Sequence, residues 1–301
     1  MNTLLYLSVI IIWGTTWIAI NLQQASGVAI PLSISYRFFL AAAVMLIALG
    51  VTRRLQRLSL VDHLFCLLQG CCVFAGNFYC FYHAVAYINS GLESVIFSMA
   101  VLFNPFNSMI FFGKRPSVNT LPAALLGLSG IVLLFWQDMQ AHHMTGELFK
   151  GIGLSMLGTY GFSLGNMISS RHQQHHLNVL STNSYAMGYG ALVMLIVAWL
   201  QGATPEIEWS VRYLGSLGYL AIFGSVVAFS AYFILLGRIG TAAASYSTLM
   251  FPLVALSIST CYEGYHWQIS AIAGLCLILL GNLVMFSKSA SIFIFWKLRT
   301  R

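Results

Sequence analysis

Apolar residues run along this chain in long blocks, separated by short polar or glycine-containing segments. A membrane-crossing helix needs about 20 consecutive apolar residues. By that measure the pattern predicts ten helical spans: 3–20, 31–51, 62–83, 91–112, 119–136, 150–169, 179–200, 211–235, 242–262 and 268–287. Pro31 and Pro122 fall in the first turns of their helices, where the missing N–H costs nothing. Pro116 and Pro205 fall in connecting loops. The first block lacks the basic lead and small-residue cleavage pattern of a signal peptide. It reads as a retained first helix.

Composition closes off other classes. Of 301 residues, 59% are hydrophobic and 7% are charged. A soluble domain carries about 25% charge, so this chain cannot cover a water-soluble globule. A soluble enzyme, a disordered protein and a nucleic-acid binder are excluded, and the expected environment is the lipid bilayer. The six cysteines sit in or beside apolar runs without a C-x-x-C pair, and read as small buried residues.

The net charge of +7 is a topology signal. Eleven of the 14 basic residues fall on one side of the spans: Arg53, Arg54, Arg57, Lys114, Arg115, Arg171, Arg238, Lys288, Lys297, Arg299 and Arg301. Lys150 and Arg212 fall on the other, and Arg37 lies inside a span. The excess of Lys and Arg marks the cytoplasmic face. Both termini are then cytoplasmic, as an even number of spans requires. Five of seven acids (Asp138, Glu147, Glu206, Glu208, Glu263) fall outside.

The chain also repeats itself. A shift of 151 positions lays 77–135 on 228–286 without a gap, with 11 of 59 pairs identical. Gly113/Gly264, Gly130/Gly281, Phe135/Phe286 and Ser94/Ser245 are among the matches. A shift of 147 lays Trp13-Gly14 on Tyr160-Gly161. The organisation expected is a five-helix repeat over 1–136, an external linker over 137–149, a second, inverted five-helix repeat over 150–287 and a basic cytoplasmic tail over 288–301. Five spans per half force the second half upside down, the plan of many secondary transporters. Pro105 and Pro252 lie mid-span in the paired fourth and ninth spans. A mid-helix proline frees a carbonyl and bends the helix, so both are candidate helix bends beside a substrate path.

Local motifs carry a resemblance to a known family. Trp13-Gly14-Thr15-Thr16-Trp17, Arg37-Phe38, Ser90-Gly91-Leu92, Gly113-Lys114-Arg115-Pro116-Ser117 and Gly127 to Phe135 resemble signatures of EamA-type proteins in the drug/metabolite transporter superfamily. In the second half, Gly240-Thr241-Ala242 and Pro252 fit the repeat of these motifs. The chain departs from the pattern where Lys114 replaces a usual Glu and Val101 a usual Pro. The resemblance implies ten helices, a central cavity built mostly from spans one to four and six to nine, and export of small metabolites from bacterial cytoplasm. It also implies that spans five and ten are peripheral supports.

Two ionisable residues sit within spans, where an unpartnered charge costs roughly 3 kcal/mol or more. Arg37 lies about 9 Å below the outer start of span two. Glu93 lies just inside span four and heads a stripe with Phe97, Ala100, Asn104, Asn107 and Ser108 at helical spacing. One reading places Glu93 in a cavity, taking a proton or an amine. The other pairs it with Arg37 as a structural ion pair. Further candidate cavity residues are Trp13, Trp17, Asn77, Tyr79, Tyr82, His83, Tyr160, Asn166, Ser245 and Thr248. His172 and His176 have the spacing of one helix face but no accompanying acid or thiolate, so Arg171 to His176 reads as a solvated cytoplasmic loop and not a metal site.

The function expected is a secondary transporter, a multi-pass protein of the bacterial inner membrane that exports amino acids or similar small metabolites. No catalytic residue and no cofactor are expected; protons are a candidate second substrate, and the chain is expected as a monomer or weak homodimer. The alternative is an integral-membrane enzyme or assembly factor acting on lipid-linked substrates.

Overall fold

The computed structural model describes residues 2–25, 27–115, 118–134, 136, 146–262, 264 and 267–287. The basic tail 288–301, most of the linker with Asp138, and Pro116, Ser117, Glu263 and Tyr265 lie outside them. Every regular element among the described residues is helical. The elements are α1 (Asn2–Gln24), α2 (Ile30–Val51), α3 (Leu60–Gln69), α4 (Asn77–Ala84), α5 (Ser90–Phe97), α6 (Ala100–Phe112), α7 (Thr120–Leu134), α8 (Gly146–Gln174), α9 (Val179–Leu200), α10 (Val211–Tyr219), α11 (Ala228–Ile239), α12 (Thr241–Ala244), α13 (Phe251–Tyr262) and α14 (Ile269–Phe286). Two π-helical segments, Gly70–Gly76 and Leu220–Val227, join α3 to α4 and α10 to α11. A 3₁₀ segment, Ser245–Leu249, joins α12 to α13.

Among the described residues, six rods are long and apolar enough to cross a membrane: Asn2–Gln24, Ile30–Val51, Leu60–Ala84, Ser90–Phe112, Val179–Leu200 and Val211–Ile239. Leu121–Leu134, Phe251–Tyr262 and Ile269–Gly281 are shorter apolar helices. Polar residues set the starts. Ser59, Asn89, Asn178 and Ser210 each accept a hydrogen bond from the backbone N–H three residues on, satisfying donors that have no partner within the helix. Gly113, after α6, has φ of 64° and Gly264 has 70°, which explains why glycine recurs at this pair of repeat positions.

The two halves interleave. α2 packs on α9, α7 on α14, α5 on α13, α4 on α8 and α1 on α11. Exchanging the halves carries α2–α9 and α7–α14 onto themselves, α4–α8 onto α1–α11, and α5–α13 onto the contact of α6 with α12 and the 3₁₀ segment. The α7–α14 contact is a small-residue seam: Gly130, Gly274 and Gly281 bring backbone directly against backbone. Hydrogen bonds fix the ends of the bundle. Arg238 Nη1 donates to Asn2 Oδ1 and Arg171 Nη1 to Asp62 Oδ1 at one end, whereas Gln201 Nε2 donates to the Tyr79 hydroxyl at the other. The first of these is the basic end, where Arg53, Arg54, Arg57, Lys114 and Arg115 also fall by the antiparallel run of the helices.

Irregularity recurs at matched places. The π segments start one residue out of the 151 register and end in it, since 76 pairs with 227. The rod Ser90–Phe112 breaks at Ser98 and Met99, and its repeat partner, which runs from Thr241 to Tyr262, leaves α-helix over Ser245–Met250. These breaks revise the expected bends. Pro105 lies inside an unbroken α6, and Pro252 lies in the first turn of α13 just after the break. Hydroxyls turned back onto the helix carbonyls hold the interruptions: Ser98 Oγ donates to Val95 O, and Thr248 Oγ1 to Ser245 O.

Two further expectations are corrected. Helix α8 continues to Gln174, so Arg171 and His172 are not in a solvated loop; His172 is 1% exposed, with Nε2 3.8 Å from Cys66 Sγ. The six thiols are free, but only Cys66 and Cys80 are buried, while Cys261 and Cys276 are exposed on the outer surface of the bundle. In a bilayer that surface meets lipid, which accepts a small apolar side chain as readily as a core does.

Candidate central cavity

Aromatic side chains from both halves converge on an enclosed cavity of about 30 Å³. α1 supplies Trp13, Thr16, Trp17 and Ile20; α2 supplies Arg37; α4 supplies Asn77, Phe78 and Phe81. α5, α8 and α11 close it with Phe97, Phe162 and Phe229. A cavity this size holds water, and an organic solute can enter only where the walls part. Its wall is tightly interlocked. The Trp13 ring meets Phe162 at 5.9 Å and Phe229 at 4.7 Å edge-to-face, and its Nε1 donates to Gly224 O at 3.0 Å. Trp17 meets Phe81 and Phe97 in the same manner.

Arg37 is the one charged residue on this wall. It is 1% exposed. Nε donates to Ser225 Oγ at 3.0 Å, and Ser225 in turn donates to Leu220 O, five residues back along the π segment. The guanidinium carbon lies 4.3 Å from the Phe78 ring centre and 4.9 Å from that of Phe38, so both ring faces stabilise the cation. Beside it, the Tyr82 hydroxyl donates to Gln23 Oε1 at 2.6 Å. Tyr82 stands close enough to feel the charges of both Arg37 and Glu93. Glu93 is fully buried in the first turn of α5, where the helix dipole favours a carboxylate.

The structure sorts the other sequence candidates. Asn77 lines the cavity and donates from Nδ2 to Gly158 O at 2.9 Å. Asn104 and Asn166 lie toward the basic end. There Asn166 Nδ2 bridges Asn104 Oδ1 at 3.2 Å and the Tyr232 hydroxyl at 3.1 Å, tying α6, α8 and α11 together. Asn107 Nδ2 adds a bond to Ser163 Oγ. Ser245 and Thr248 are buried and bond to carbonyls of their own helix. Glu93, Tyr79, Tyr82, His83 and Tyr160 are not on the cavity wall. Tyr79 packs on His83 and reaches Gln201, and Tyr160 packs on Phe103. Phe162, Ile20, Gln23 and Ser225 carried no signal in the sequence. Phe78 and Phe229 carried one: they are an identical pair at the 151 shift, and each half contributes one to the wall.

At the basic end Asp62 Oδ1 and Arg171 Nη1 are 2.6 Å apart, and the Arg171 guanidinium lies over the Phe65 ring. Among the described residues no group of three His, Cys, Asp or Glu side chains could hold a metal.

Comparison with known proteins bears on the family and the fold of the whole chain. Residues 2–136 and 149–287 each match the EamA-like transporter family. The chain is 23% identical over 292 residues to the uncharacterized transporter YoaV of Bacillus subtilis (strain 168), covering 94% of this chain and 96% of that protein. It is 27% identical over 252 residues to the uncharacterized inner membrane transporter YedA of Escherichia coli (strain K12), covering 83% and 79%. A protein crystal structure 16% identical superposes with a TM-score of 0.69 over 95% of this chain and 96% of its own, which establishes likeness of fold.

Proposed function

Since the chain belongs to the EamA-like transporter family, we propose that it is a secondary transporter exporting amino acids or similar small metabolites across a bacterial inner membrane by alternating access. The observation that carries this reading is the closed aromatic cavity between the two halves, with Arg37 in its wall. At about 30 Å³ it is too small for such a solute. A solute can pass only if the walls part, first toward one face and then the other. The breaks at Ser98–Met99 and Ser245–Met250 supply matched points where the wall helices can swing.

The exchange-symmetric pairing of the halves supports an inverted repeat, in which motion of one half mirrors the other. The basic end is cytoplasmic by the positive-inside rule, which puts both termini in the cytoplasm. If transport is coupled to protons, the fully buried carboxyl of Glu93 is our candidate for the exchange. The protein works as a monomer or weak homodimer. An enzyme acting on lipid-linked substrates would use an acid at the basic end. There Asp62 is engaged by both Arg171 and Ser59.

The test is flux of labelled amino acids and organic acids into proteoliposomes containing the full chain. At least one solute should show saturable flux, and Thr16→Trp, which fills the cavity, should suppress it at normal protein level. Absence of flux for every solute, from protein that remains monodisperse, would overturn the reading.

A further inference from the structure

The polar atoms that the cavity leaves without hydrogen-bond partners are donors. Arg37 Nη1 and Trp17 Nε1 are both fully enclosed, both belong to residues of the cavity wall, and neither has a partner among the described residues. A buried donor without an acceptor costs about 1–3 kcal/mol, and more when it is charged. Water in the cavity relieves part of that cost. A ligand oxygen with negative charge relieves more, because its hydrogen bond to a guanidinium is charge-assisted. Most of the remaining wall is aromatic, with Phe78, Phe81 and Phe162 among its residues, and its two other polar side chains, Thr16 and Asn77, already donate to the carbonyls of Trp13 and Gly158. The wall carries no carboxylate for a polyamine.

From these donors we infer that the substrate is an organic carboxylate with a flat or branched apolar body, whose carboxylate is held by Arg37 and Trp17. Arg37 is pre-set for this role. Ser225 holds Nε, the Phe38 and Phe78 rings pack on the guanidinium and the Tyr82 side chain stands against it, while Nη1 is left without a hydrogen-bond partner. The inference rests on the transport reading for the route that the ligand takes, but its binding step stands without flux.

Binding is read on the full chain in lipid nanodiscs by the fluorescence of Trp13 and Trp17, with phenylacetate, 3-methylbutanoate and pyruvate each set beside its own amide. At least one carboxylate should bind saturably, and its amide should bind about tenfold more weakly or worse. Arg37→Gln should abolish the preference for the acid. Trp17→Phe, which keeps the ring and loses the donor, should weaken the acid several-fold and leave the amide unchanged; this variant and the acid–amide pair decide the question even if Arg37→Gln does not fold. Equal binding of acid and amide, acid binding that survives both substitutions, or no saturable carboxylate would each overturn the inference. So would a signal from chloride alone against a gluconate background, which assigns the donors to an inorganic anion. Arg37-dependent binding without flux would instead remove the transport reading and leave the binding site standing. Flux of neutral solutes unaffected by Arg37→Gln, with no carboxylate bound, would do the reverse.

Discussion

Glycine seams make a sharp test of the packing between α7 and α14. A Cβ placed on Gly274 would stand 2.5 Å from Gly130 O and 2.7 Å from Leu134 N, where ordinary contact begins at 3.4 Å. Both obstacles are backbone, so no side chain can swing aside. The helices must part by most of that 0.9 Å shortfall. A gap of ~0.5–1 Å along a packed seam forfeits a quarter to a half of each dispersion contact. Overpacking of this kind costs about 1–3 kcal/mol. Against it, alanine gains roughly 0.5–1 kcal/mol over glycine in a helix. Gly274→Ala should therefore be destabilising on balance by about 1–2 kcal/mol. Gly153, on the exposed face of α8, has nothing within 4 Å of its would-be Cβ. Gly153→Ala keeps the helix gain without the clash and should stabilise. The assay is thermal unfolding in detergent, followed by intrinsic fluorescence. Each kcal/mol shifts the midpoint by roughly 2–4 °C in a chain of this size. The two substitutions should move it in opposite directions. A Gly274→Ala midpoint at or above that of Gly153→Ala would refute the backbone-contact account of the seam.

Other outcomes follow from the polar contacts. Asn166→Leu should lower stability by about 1–3 kcal/mol, because it strands the buried Asn104 Oδ1 and removes one partner of the Tyr232 hydroxyl; a midpoint unchanged in the same assay would count against the bridge. Asp62→Asn should cost about 1 kcal/mol, since the Arg171 pair is partly exposed at 18% and 15%, and Asp62→Arg with Arg171→Asp should recover part of it, as a double-mutant cycle would record. Single cysteines introduced in 53–58 and in 203–209 of a chain lacking native thiols should label from opposite faces of the membrane with an impermeant reagent; labelling from one face would break the antiparallel arrangement. Pro252→Ala should slow flux more than Pro105→Ala, because only Pro252 adjoins a break; equal loss of initial rate in proteoliposomes would return the bend to both prolines.

Hydropathy alone placed the helices closely. The expected 31–51 and 179–200 correspond to Ile30–Val51 and Val179–Leu200, because a helix that must satisfy its own backbone in lipid shows as a block without polar breaks. The 151 shift likewise anticipated the pairing of Gly113 with Gly264, since a left-handed helix end admits few residues besides glycine. What hydropathy could not report was direction. In a membrane, a residue facing lipid and one facing the core are equally apolar, so the helical period that marks a buried face in a soluble protein is nearly silent here. That is why Tyr79, His83 and Tyr160 resembled cavity residues although they lie off its wall, and why Phe162 and Ser225 passed unnoticed. The π segments and the breaks at Ser98–Met99 and Ser245–Met250 belong to tertiary structure for a related reason: a few shifted backbone bonds need no signature residue, only neighbours that hold them. Arg37 and Glu93 were legible as buried charges from their positions in apolar blocks. Only the packing of both halves decided that the arginine would meet aromatic rings, a serine and a small cavity.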